Sequence, residues 1–161
     1  CLGVSGVLKL AMGDIDGDGD LDLAFGDDDV SNIVYLNKDG KGNFELGPVF
    51  GAGANSVAVG DINGDGALDL VVGDYGPNIV YLNDKDQPGS FYPGSFYGEE
   101  AGKCNDPSLP IRCFGSDINR TNSVAVGDVN GDGALDLVAG NYGTTSVVYL
   151  NDGTGGFYTE P

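Results

Sequence analysis

Short apolar runs broken by Gly, Asn and Asp set the character of this chain. In its middle third, Val57–Val59, Leu68–Val72 and Ile79–Leu82 are runs of Val, Leu, Ile, Ala and Tyr, and a further one is expected near Phe91. Runs this short, bounded by turn residues, predict β-strands. No stretch carries a helical period over ten or more residues, and 29 glycines oppose helix throughout. In "LDLVVG", 68–73, both faces are apolar or small after the Asp, which predicts a strand covered on both sides.

The pattern repeats. "DIDGDGDLDL" at 14–23 returns as "DINGDGALDL" at 61–70 and as "DVNGDGALDL" at 128–137. Each is preceded by a short strand, "KLAMGD", "SVAVGD" or "SVAVGD", and followed by "NIVYLN", "NIVYLN" or "SVVYLN". Phe44, Phe91 and Phe157 come next, each after a Gly-containing turn. The second interval is longer than the first because it holds an insertion at about 91–120. Without it the period is about 47 residues, in the range of propellers and arrays. The predicted fold is all-β, with three propeller blades of four antiparallel strands, 1–54, 55–121 (carrying the insertion) and 122–161. Ala58, Gly60, Gly73 and Gly140 would let neighbouring blades approach closely. A β-sandwich needs no fixed sequence period, so it fits less well.

Asp at alternate positions is electrostatically costly unless a cation sits among the carboxylates. Calcium takes six to eight oxygen ligands, and a tight loop can supply them from alternate residues. The candidate ligands are Asp14, Asp16, Asp18, Asp20 and Asp22 in the first loop. They are Asp61, Asn63, Asp65, Ala67 and Asp69 in the second, and Asp128, Asn130, Asp132, Ala134 and Asp136 in the third. The two alanines would contribute backbone carbonyls. Three Ca2+ sites follow, structural in role, with the first expected to bind somewhat tighter because Asp16 replaces Asn. An EF-hand needs Glu at loop position twelve and flanking helices. Phe25, Val72 and Ala139 stand there, inside apolar runs, so the EF-hand is rejected.

These loops, with the "GDYG" or "GNYG" turn and "YLN", resemble the FG-GAP/VCBS-type calcium-binding repeats of integrin α-subunit propellers, some lectins and many secreted microbial proteins. The resemblance spans nearly the whole chain except the insertion. It implies that each acidic loop joins the first two strands of a blade and is stiffened by calcium. "GDDDVSN" at 26–32 departs from the "GDYG" form, so no role for a tyrosine like Tyr75 or Tyr142 carries over to the first blade.

Net charge changes the picture of partners. Seven Lys and Arg against 25 Asp and Glu leave −18, which argues against nucleic acid or an anionic membrane surface. Ten of those acids sit at matching loop positions, and three divalent ions, carrying +6, would bring −18 to about −12. No apolar stretch approaches the roughly 18 residues of a membrane span. "CNDPSLPIRC" suits a local Cys104–Cys113 disulfide, and "NRT" makes Asn119 a glycosylation acceptor. Both favour a secreted or cell-surface protein. Cys1 is left over, and the chain opens without Met, as in a processed product or a fragment.

The absence of His removes the commonest general base, so a noncatalytic protein is expected. The leading expectation is an adhesion or protein-interaction module with the insertion as its variable element. A lectin using Tyr75, Tyr142 or the Phe91–Tyr97 aromatics, or an architectural module, are the alternatives. Three blades leave both end faces open. Their expected partners are further blades of a longer chain, ahead of a second copy closing a six-bladed ring.

Overall fold

The computed structural model describes residues 9–27, 31–91, 106, 108–115 and 120–159. Twelve strands form among them, with no helix. They are β1 (Lys9–Gly13), β2 (Asp22–Gly26), β3 (Ser31–Leu36), β4 (Glu45–Ala52), β5 (Ser56–Gly60), β6 (Asp69–Gly73), β7 (Asn78–Tyr81), β8 (Ile111–Phe114), β9 (Arg120–Gly127), β10 (Asp136–Tyr142), β11 (Val147–Asn151) and β12 (Phe157–Tyr158). Every sheet is a four-stranded antiparallel meander: β1-β2-β3-β4, β5-β6-β7-β8 and β9-β10-β11-β12. The leading strands lie side by side, β1 against β5 and β5 against β9, as blades do around an axis.

Packing follows the pleat. On β6 all five residues are buried, with Leu70 and Val72 facing the first blade and Val71 the third. Two apolar layers result. Val34 and Phe50 of the first blade meet Leu70, Tyr81 and Ile111 of the second. Val71, Val80 and Phe114 of the second then meet Val124, Leu137 and Tyr149 of the third. An edge-to-face aromatic pair crosses each layer, Phe50–Tyr81 at 5.6 Å and Phe114–Tyr149 at 5.2 Å between centroids. Among the described residues, the end blades have no second cover. β2 is fully buried only at alternate residues, and the opposite face of the first blade carries two apolar rows in register. One is Leu10, Phe25, Ile33 and Val49, and the other is Met12, Leu23, Tyr35 and Leu46.

The fourth strand of the middle blade corrects the sequence expectation. It is not near Phe91 but at Ile111–Phe114, inside the segment counted as insertion. β8 pairs with β7 from Tyr81↔Ile111 to Asn78↔Phe114, so the inserted residues lie within the second blade, between its third and fourth strands. Burial is the reason: Ile111 and Phe114 complete the two apolar layers, one on each face of the blade. Phe91 remains buried, but as a plug whose ring tilts against Phe50 at 6.0 Å. Of the glycines expected to admit a neighbouring blade, Gly60 and Gly73 do so, whereas a β-carbon on Gly140 would meet only Ser123 of its own blade.

Candidate metal centre

The loops 14–22, 61–69 and 128–136 join the first two strands of successive blades, all at one edge of the array. Each is wound by its own side chains. In the second, Asp61 accepts from Asp65 N (3.0 Å) through Oδ1 and from Gly66 N (3.0 Å) through Oδ2. Asn63 Oδ1 also accepts from Asp65 N (3.1 Å), and Asp65 Oδ1 from Ala67 N (2.9 Å). The third loop repeats these bonds with Asp128, Asn130 and Asp132. Gly64 and Gly66 make the turn possible, with φ of 72° and 96°.

Position nine behaves differently. Asp22, Asp69 and Asp136 are fully buried, and each carboxylate spans at least two backbone amides. Asp69 Oδ2 accepts from Ile62 N and Oδ1 from Asn83 N, both at 2.8 Å. Asp22 does the same with Ile15 and Asn37, and Asp136 with Val129 and Asn151. These residues clamp the acidic loop to the turn that ends "YLN". Burial pushes Asp69 up to about 6 despite those bonds, and raises Asp22 too, so a nearby cation would relieve a real cost.

In the first loop, carboxylate oxygens of Asp14, Asp16 and Asp18 lie within 4.8 Å of one another. Asp14 Oδ1 is buried without a hydrogen-bond partner, although the rest of the carboxylate accepts from Gly19 N. An all-oxygen set with an unsatisfied carboxylate oxygen fits a hard divalent cation such as Ca2+. Asp20, also expected as a ligand, is placed against the 37–42 turn, where a β-carbon on Gly40 would lie 2.6 Å from its Oδ1.

FG-GAP-like repeats match residues 14–72 and 61–139, and an FG-GAP repeat matches 121–158. The chain belongs to the FG-GAP repeat family. No curated protein matches it. The overlapping FG-GAP matches each run from one acidic loop into the second strand of the next blade, or across the third blade, so the family pattern and the clamped loops coincide.

Within this FG-GAP frame the structure adds residues that the motif alone did not point to. Lys38, 22 positions beyond Asp16, forms an ion pair with it. That bond holds the Lys38 ammonium above its usual range. The same position is Asp84 in the second blade and Asp152 in the third, so "YLNK" against "YLND" was the readable signal. The first loop thus gains Asp16 and an internal counter-cation together. At the opposite edge, the Arg120 guanidinium lies 4.4 Å from the Tyr75 ring centroid and 5.5 Å from that of Tyr142. Cys113 stands on β8; Cys104, Asn119 and the aromatics 92–97 fall outside the described residues. No helix among the described residues is long and apolar enough to cross a membrane.

Proposed function

We propose that this chain is a noncatalytic, extracellular FG-GAP propeller module for adhesion or protein–protein interaction, with calcium as a structural ion in each of its three acidic loops. The observation that carries the calcium reading is the threefold recurrence of one oxygen-rich turn, in which the side chains at positions one, three and five each accept from the same loop amides and a buried Asp at position nine clamps the loop. Asp14, Asp16 and Asp18, with Asp61, Asn63 and Asp65, and Asp128, Asn130 and Asp132, are the ligands from positions one, three and five. Asp22, Asp69 and Asp136 hold each loop in shape and add charge behind it. The extracellular habit of these repeats supports an oxidising compartment, in which Cys113 would be disulfide-bonded. Cys104 is its proposed mate.

The interaction reading is preferred over the lectin because Arg120 already covers one face of Tyr75 and approaches Tyr142, two of the rings expected to hold a sugar. Extracellular modules bind calcium at roughly 10⁻⁴–10⁻³ M. At ligand a few- to thirty-fold above Kd, each site should then add about 1–2 kcal/mol. Thermal melts in millimolar calcium and in chelator test this. A melting temperature that does not move between them, with no calorimetric binding, refutes the calcium role.

A further inference from the structure

We propose that the chain pairs head to tail with a second copy of itself, the open face of the first blade in each copy docking on the open face of the third blade in the other. This deepens the partner half of the reading above and rests on blade geometry, not on calcium.

The same joint is made twice inside the chain. A β-carbon on Gly13 would lie 2.6 Å from Leu68 Cδ1, and one on Gly60 would lie 3.0 Å from Leu135 Cδ1. A β-carbon on Gly26 would lie 2.6 Å from Val57 Cγ2, and one on Gly73 would lie 2.7 Å from Val124 Cγ1. Every blade thus offers two hollows, floored by glycine, that the following blade fills. In the third blade the corresponding glycines are Gly127, with nothing within 4 Å, and Gly140, which meets only its own blade. In the first blade the corresponding fillers are Leu21 and Leu10, 60% and 53% exposed. Val57 and Val124, at the position of Leu10, are each 8% exposed. Among the described residues, two fillers and two hollows are therefore left over, and they match each other.

The polar part of the joint is left over in the same way. Asn83 Nδ2 donates to Ile15 O of the preceding blade at 2.7 Å, and Asn151 Nδ2 to Ile62 O at 2.7 Å. The third pair in that series is Asn37 Nδ2 and Val129 O. Asn37 is 9% exposed, and its amide has no acceptor among the described residues.

A joint between two different faces closes into a ring when its rotations complete a turn. Two copies of three blades make six, inside the four to eight typical of propellers. Closure also covers the apolar rows of the first blade, in which Leu10, Met12, Leu46 and Val49 are exposed side by side, and contiguous exposed apolar patches mark interaction sites.

The test is native size by light scattering at tens of micromolar, run both in calcium and in chelator. Wild type is expected at twice the single-chain mass of 16.5 kDa. Leu10→Lys removes a filler. Gly140→Ala puts a β-carbon into a hollow, and in the single chain that β-carbon makes only ordinary contact, its nearest atom lying 3.5 Å away. Both variants should fall to the single-chain mass with unchanged far-UV circular dichroism. A joint using one face on both copies would survive one of the two variants, so a dimer in either overturns the head-to-tail geometry. A monomeric wild type overturns the pairing, its faces then being covered by blades carried elsewhere. A ladder of larger species overturns closure. Calcium-independent melting would sink the calcium reading and leave this measurement standing.

Discussion

Asp69→Ala separates the clamp from the metal ligands. The substitution strips the acceptors from two buried amides, Ile62 N and Asn83 N, each bonded at 2.8 Å to a fully buried carboxylate. A buried donor left unsatisfied costs about 1–3 kcal/mol, so two cost about 2–6 kcal/mol. The carboxylate carries a desolvation cost of its own, visible in its elevated value of about 6, which draws the net loss toward the lower half, about 2–4 kcal/mol. Asp61→Ala also frees two amides, but Gly66 N is exposed and Asp65 N only part-buried, so water replaces the lost acceptors. In chelator that variant should lose less than about 1 kcal/mol. Urea unfolding followed by circular dichroism and tyrosine fluorescence gives both values, with chelator present to remove any metal contribution. In calcium, Asp61→Ala should forfeit a further loss of about 1–2 kcal/mol, the share of one site. The clamp is refuted if, in chelator, Asp69→Ala stays within about 1 kcal/mol of wild type, or if Asp61→Ala costs as much as Asp69→Ala.

Further predictions concern single side chains. Lys38→Met should tighten calcium at the first loop about two- to five-fold, because a competing surface cation is removed; calorimetry on variants with the other two loops disabled reads it, and weakened binding would show that Lys38 supports the site. Phe50→Ala empties the meeting point of Tyr81 and Phe91 in a fully buried position, and should cost about 3–5 kcal/mol in urea unfolding. Intact-mass analysis of protein purified without reductant should find Cys104 and Cys113 bonded. Reducing that short loop should cost about 2–3 kcal/mol at most, and two free thiols would contradict the pairing.

The sequence by itself determined the repeat, the all-β class and the acidic loops, because these are local. Alternating Asp, paired glycines and short β-branched runs act over a few residues, and three copies reinforce one another. Position nine was legible as an Asp but not as a clamp, since its partner amides at Asn37, Asn83 and Asn151 lie 14 or 15 residues away. The end of the middle blade was misplaced for a related reason. "IRCF" is too short and too polar to announce a strand, and only the two apolar layers that Ile111 and Phe114 complete select it over Phe91. Lys38 meets Asp16 between turns, and Arg120 meets Tyr75 of the neighbouring blade and its cross-strand partner Tyr142, through contacts that no linear spacing encodes. Tertiary structure also decided which face of each blade leads. A period of two says that a strand has two faces, whereas the direction of stacking depends on which glycine hollows receive the side chains of the next blade.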